Sequence, residues 1–149
     1  MRRRYLALGI IMIILGLFLS LFYYFFFNSV FLTAFGISII ILGSTSISLA
    51  FTRPYFVFGD LMEYIVRINN SLLIVLALEF IIINSLLAIF TQYNLSIYYI
   101  VGIITYFITI WFYISIHPRL GNSLTAVCAI SFIVFVVVIC FKIIDILMG

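Results

Sequence analysis

Long apolar runs, separated by short polar stretches, divide the sequence into five segments. The runs cover residues 5–27, 29–51, 71–90, 97–116 and 123–148. A helix of about 20 apolar residues crosses the hydrocarbon core of a bilayer. In lipid each backbone N–H and C=O must be paired, and a helix does this within its own segment. The pattern therefore predicts an all-α, polytopic transmembrane bundle of five spanning helices, forming a single integral membrane domain over residues 1–149.

The segment 54–70 has a different pattern, in which polar and apolar residues alternate with helical spacing. Asp60, Glu63 and Arg67 share one helical face, and a Glu63–Arg67 pair adds only about 0.3–0.5 kcal/mol. Asp60 after a glycine is a candidate N-cap. One structure that fits is a short amphipathic helix at the cytoplasmic interface, ending in a break or kink near Asn69. The other is a continuous helix over 60–90, about 46 Å long. We expect the break.

Composition and charge support a membrane location and indicate an orientation. Hydrophobic residues make up 68% of the chain and charged residues 7%, whereas a soluble domain carries about 25% charged residues. The net charge of +3 is too small to indicate nucleic acid. All six arginines lie on one side of the predicted bundle: Arg2, Arg3, Arg4, Arg53, Arg67 and Arg119. The positive-inside tendency then predicts a cytoplasmic N-terminus and an outer C-terminus in the plasma or inner membrane.

The N-terminal apolar run is expected to stay in the protein as the first helix. Three arginines followed by apolar residues resemble the start of a secretory signal. The run is longer than a signal requires, and no small-x-small cleavage site follows it.

Small residues predict which helices touch, because helices in lipid pack closely where side chains are small. Those in the first two segments recur at intervals of seven: Gly9, Gly16, Gly36, Gly43 and Ala50. Folding the chain about Ser29 and Val30 places Gly16 opposite Gly43 and Gly9 opposite Ala50. We expect a tight antiparallel hairpin in this register. Helices four and five are expected to form a second hairpin, with Asn122 or Ser123 capping helix five.

Glu79 is the one ionisable residue well inside a predicted span. It lies about 12 Å from the inner end of helix three. A carboxylate at that depth costs several kcal/mol, so it takes up a proton or finds polar partners. Hydroxyl residues at similar depth on other helices are the candidates: Ser44, Thr45, Ser48, Thr109 and Ser131. Glu79 is then either a hydrogen-bonded structural pin or, if water reaches it, a group that binds a proton or cation.

The sequence offers little else for chemistry. It lacks a phosphate-binding loop, a nucleophile motif and a metal-ligand set, so we expect no enzyme activity, no metal and no cofactor. The leading hypothesis is a non-catalytic subunit or scaffold of a membrane assembly. Its partners would be the lipid bilayer and other membrane subunits or further copies of the chain. The alternative is a small oligomeric transporter or channel that uses Glu79 to bind a proton or cation.

Overall fold

The computed structural model describes the backbone of residues 2–51, 59–90 and 94–149, and the side chains of these residues except 2 and 59–63. Five α-helices account for nearly all of it: α1 Arg2–Phe22, α2 Val30–Ala50, α3 Gly59–Ile89, α4 Leu95–Ile116 and α5 Arg119–Met148. A π-helical turn, Tyr23–Phe27, prolongs α1. Each α-helix is long and apolar enough to span a membrane. The predicted all-helical bundle with five candidate spans is confirmed.

The turn between α1 and α2 is built from Asn28 and Ser29. Asn28 adopts the left-handed conformation (φ 47°, ψ 35°), which asparagine tolerates better than most residues. The Ser29 amide then donates to the carbonyl of Tyr23 over 3.3 Å, as at many helix C-termini. Ser29 also caps α2, its hydroxyl accepting from the amide of Leu32 at 3.5 Å. Two residues therefore end one helix and start the next.

The glycines of α1 and α2 form a backbone-to-backbone seam. Gly9 lies against Gly43, and Gly16 lies against Gly36. A methyl group added at Gly16 would come within 2.6 Å of the Gly36 carbonyl oxygen, so the helices approach as closely as glycine allows. The predicted hairpin forms, but its register differs from the predicted pairing of Gly16 with Gly43 and of Gly9 with Ala50. The observed register sets glycine against glycine, which allows a closer approach than a pairing of Gly9 with Ala50, and every partner on α2 lies about one to two helical turns nearer its N-terminus than expected.

The third helix runs without interruption from Gly59 to Ile89. The expected break near Asn69 is therefore wrong, and the alternative of one long helix is correct. Asn69 is fully buried and Asn70 accepts a hydrogen bond from Tyr5 at 2.7 Å, so both amides are helix-contact residues. Of the predicted amphipathic segment, residues 54–58 and the side chains of 59–63 lie outside the described part. Asp60 falls inside the first turn of α3 rather than before it.

The fifth helix begins four residues earlier than the sequence predicted. Pro118 is its N-cap and Arg119 its first residue, so the predicted capping by Asn122 or Ser123 is wrong. Proline fits here because it has no N–H to leave unpaired at a helix start. The turn is closed by the amide of Leu120 donating to the His117 carbonyl at 3.0 Å.

Helix α2 lies at the centre of the fold and contacts each of the other four α-helices. Small residues on several of its faces make this possible, among them Ala34, Ser38 and Ser46, which are all buried. The main apolar core lies where α2, α3, α4 and the start of α5 meet: Leu42, Leu49, Leu72, Leu76, Phe80, Tyr106, Ile110, Leu120 and Leu124. Helix α5 contributes only Leu120 and Leu124 as buried residues, so most of its length has one face on the bundle and the rest uncovered.

Candidate intramembrane polar site

Glu79 on α3 meets Thr109 on α4. The Thr109 hydroxyl lies 2.8 Å and 2.7 Å from the two carboxyl oxygens of Glu79. Thr109 is buried and Glu79 is half-buried. Thr109 was among the hydroxyl residues expected at this depth, and the structure brings it to Glu79.

The geometry of this contact restricts the chemistry of the pair. A hydroxyl carries one hydrogen, so Thr109 can donate to an ionised carboxylate and share that hydrogen between both oxygens. If the carboxyl is protonated, its own O–H can instead donate to the threonine oxygen. Both forms keep α3 and α4 joined. The contact is therefore compatible with a fixed structural link and with a group that gains and loses a proton.

The other candidate hydroxyls bond elsewhere. Ser44 donates to the carbonyl of Ile40 in its own helix at 3.0 Å, and Ser48 donates to the carbonyl of Ser123 on α5. Thr45 is fully buried and lies 3.2 Å from the hydroxyl of Tyr106. The backbone carbonyl of Ser131 accepts from Tyr99 at 3.5 Å. The structure therefore brings one of the five predicted hydroxyl residues to Glu79, and two of the others link α2 to α4 and α5.

The sequence reasoning missed several interhelical links, including those that Asn84 and Tyr106 make. The Asn84 amide donates to the Ser38 hydroxyl at 3.0 Å, joining α3 to α2, and Tyr106 bonds Thr45. Asn84 is five residues after Glu79, about 140° around the helix, which is why the two side chains reach different neighbours. The signal for the first link was present, since a buried amide within a span requires a partner. Tyr106 gave no such signal, because 19% of the chain is aromatic.

A second group of polar contacts lies at one end of the bundle, which we call the arginine end because Arg3, Arg4, Arg67 and Arg119 lie in the helix segments that meet there. Helices α1, α3 and α5 begin at this end, and α2 and α4 finish at it. Four contacts fasten the ends together: the Tyr5 hydroxyl on Asn70, the Ser46 hydroxyl on the Tyr5 carbonyl, Ser71 with Tyr113, and the rings of Tyr64 and His117. The arginines of the described part are therefore grouped on one side, as the sequence predicted. Arg53 lies outside the described residues.

A cavity of about 370 Å³ opens at the arginine end between α3 and α4. Its polar lining comes from Tyr64, Arg67, Ser71, Tyr113 and His117, and its apolar lining from Ile68, Phe112 and Ile116. Glu79 does not line it. Among the described residues, no three His, Cys, Asp or Glu side chains come together in a way that could hold a metal ion.

No family model, characterised protein or solved structure matches this chain.

A functional assignment therefore depends on the polar contacts and on the surfaces that the bundle leaves uncovered. Several polar side chains of the described part are paired between helices, linking α3 to α4, α2 to α3, and α2 to α4. The Asn69 amide is fully buried and finds no hydrogen-bond partner among the described residues. The paired side chains hold helices together.

Proposed function

We propose that this chain is a non-catalytic subunit or scaffold of a membrane assembly, oriented with its N-terminus in the cytoplasm. The observation that carries the proposal is the outer face of α5 near the arginine end. Asn122, Thr125, Ala126 and Ala129 follow each other there at helical spacing, and all four are exposed. Small residues at this spacing are what membrane helices use for close packing, and none of the described helices buries these four residues.

The remaining surface of α5 supports the same proposal. Beyond Leu124 the helix has no buried residue, although it continues for about 36 Å. Three of its half-buried positions, Cys128, Ser131 and Phe135, contact residues of α4. A long, largely uncovered helix with exposed small residues in its first turns is suited to pack there against a helix of another subunit.

The absence of enzyme activity is part of the proposal. Several of the hydroxyls and amides described above are used in links between helices. The one carboxyl inside the bundle bonds to a threonine, which cannot serve it as a base or acid near neutral pH. Catalysis of hydrolysis in a membrane requires a nucleophile with a base, or a metal.

The orientation follows the grouping of the arginines. Arg3, Arg4, Arg67 and Arg119 belong to the same end of the bundle, and arginine-rich ends favour the cytoplasmic side. Five spans then place the C-terminus outside, in a plasma or inner membrane. Tags at the two termini, tested for protease access in intact and opened cells, would contradict this orientation if both were cut from the same side.

The subunit proposal is tested by purification in mild detergent from native membranes. We expect a second membrane protein in fixed stoichiometry, or a stable oligomer of this chain. Leucine at Ala129 should abolish that association, because it removes the close approach of a neighbouring helix. The matched control is Ala7→Leu on α1, which makes the same change at a position that is also exposed. Recovery of the wild-type chain as a monomer alone would refute the proposal.

A transporter or channel is the second candidate, and Glu79 is the observation in its favour. Its carboxyl is half-buried within a span and has one hydroxyl as its described partner, so a proton or cation could compete with Thr109 for it. Liposomes containing this chain alone should then show proton or cation flux, and Glu79→Gln should remove it. If Glu79→Gln lowers only the stability of the fold, Glu79 is a structural pin.

A further inference from the structure

We propose that the cavity between α3 and α4 at the arginine end binds the phosphate headgroup of an anionic phospholipid. The proposal requires that the chain spans the membrane, and it is independent of the scaffold role.

The polar side of the cavity is suited to a phosphate. Arg67 lines the cavity and is exposed, and a guanidinium binds phosphate oxygens with paired N–H donors. The His117 ring stands against Tyr64 at 6.1 Å and supplies a further N–H donor on the α4 side. The cation and the imidazole therefore approach the cavity from two different helices.

The two hydroxyls in the cavity leave one donor free. Ser71 and Tyr113 lie 3.1 Å apart and share a single hydrogen bond. Because each hydroxyl carries one hydrogen, one of the two remains available for a phosphate oxygen. The Ser71–Tyr113 hydrogen bond can stay in place while the free hydroxyl hydrogen is donated to the phosphate.

The apolar side indicates that the occupant is a lipid rather than a soluble phosphate ester. Phe112 and Ile116 line the cavity and are 61% and 55% exposed, on a face of α4 that continues to the exposed Trp111. Acyl chains would lie along this surface while the headgroup stays near Arg67. Basic pockets between spanning helices are known sites for anionic headgroups, and a volume of about 370 Å³ is within the range of ligand sites.

The test measures which lipids stay bound to the full chain. The protein is purified in mild detergent from vesicles of phosphatidylcholine with a minor fraction of phosphatidylglycerol, and the retained lipids are quantified by native mass spectrometry. We expect phosphatidylglycerol to be enriched, and Arg67→Gln to reduce that enrichment about fivefold, the equivalent of about 1 kcal/mol for one arginine. Tyr113→Phe should reduce it less, because Ser71 still carries a hydrogen.

Arg4→Gln is the matched control. It removes the same charge from the same end of the bundle, but Arg4 is on α1 and does not line the cavity. A general attraction of anionic lipid to the arginine end would fall equally in the two variants, and that result would overturn the proposal. Thermal unfolding in pure phosphatidylcholine checks that Arg67→Gln is folded.

Two further measurements test whether the cavity binds a lipid headgroup or a soluble phosphate ester, and whether the charge next to Arg67 matters. Glycerol phosphate added to protein in pure phosphatidylcholine should give no Arg67-dependent rise in thermal stability, and such a rise would assign the site to a soluble ligand. Glu63→Gln removes the acidic residue four positions before Arg67 and should keep or increase the enrichment. A loss of enrichment in Glu63→Gln would contradict the proposal.

Discussion

Replacing Gly16 by alanine adds one methyl group at a backbone contact between α1 and α2. The new carbon would lie 2.6 Å from the Gly36 carbonyl oxygen and 3.0 Å from the Ile40 nitrogen, where ordinary contacts begin at 3.4 Å. Backbone atoms cannot rotate away, so the helices must separate locally. Overpacking of this kind costs about 1–3 kcal/mol. It is opposed by the higher helix propensity of alanine, worth about 1 kcal/mol.

Gly102→Ala is the control that separates the steric cost at Gly16 from the gain in helix propensity. At Gly102 the added carbon would meet only the Phe80 ring, at 3.6 Å, which is ordinary contact. Both variants gain the same propensity, so their difference in the free energy of unfolding is the cost of separating the helices. We expect that difference to be about 1–3 kcal/mol, or roughly 5- to 150-fold in the unfolding equilibrium.

Reversible unfolding by SDS in mixed micelles, followed by circular dichroism, measures this difference. A Gly16→Ala variant that is as stable as Gly102→Ala would refute the close approach of α1 and α2. The register can be tested in the same assay, because touching residues couple and distant ones add. Gly16→Ala with Gly36→Ala should cost less than the sum of the two, whereas Gly16→Ala with Gly43→Ala should cost the full sum. The opposite result would favour the pairing predicted from the sequence.

Three further substitutions test the polar contacts in the same unfolding assay. Thr109→Val removes the hydroxyl that bonds Glu79 at nearly constant volume and should lower the free energy of unfolding by about 0.6–1.7 kcal/mol. The control is Thr105→Val, which should cost less because the Thr105 hydroxyl bonds its own helix. Equal costs would argue against the Glu79 link. Tyr5→Phe removes the hydrogen bond that ties the start of α1 to α3 and should cost about 0.5–1.5 kcal/mol, whereas an unchanged midpoint would show that the bond contributes nothing. Asn69→Leu removes a buried amide without a described partner and should stabilise the fold by about 1–3 kcal/mol; a loss of stability would show that the amide has a partner.

The sequence predicted the number of helices and which of their ends meet, because a hydrocarbon core imposes length and polarity on each span. It was less informative about helix ends. The apolar pattern predicts that helix five begins at residue 123, whereas Pro118 starts it earlier. The sequence also favours a break at Asn69, whereas a buried asparagine packs inside a helix. In both cases local propensity allowed two structures, and packing against neighbouring helices decided between them.

The sequence predicted how deep the residues of the candidate site lie along their helices. It did not predict the direction around each helix axis in which their side chains point. Glu79 was identifiable as the ionisable residue inside a span, and Thr109 as a hydroxyl at similar depth. Ser44 and Thr45 have nearly the same depth, yet they differ by about 100° around α2, so only Thr45 faces Tyr106. Such rotations depend on the register between helices, and the glycine seam shows that this register differs from the one expected from the sequence.

The central position of α2 affects the order in which the chain can assemble during synthesis. Its contacts with α1 are local in sequence, so the hairpin can close once α2 has entered the bilayer, before α3 is made. Helices α3 and α4 can then dock on a surface that is already formed, each in the order of translation. Of the five described helices α5 is made after the others and has only its first turns buried, so it can exchange its neighbours without opening the rest of the bundle.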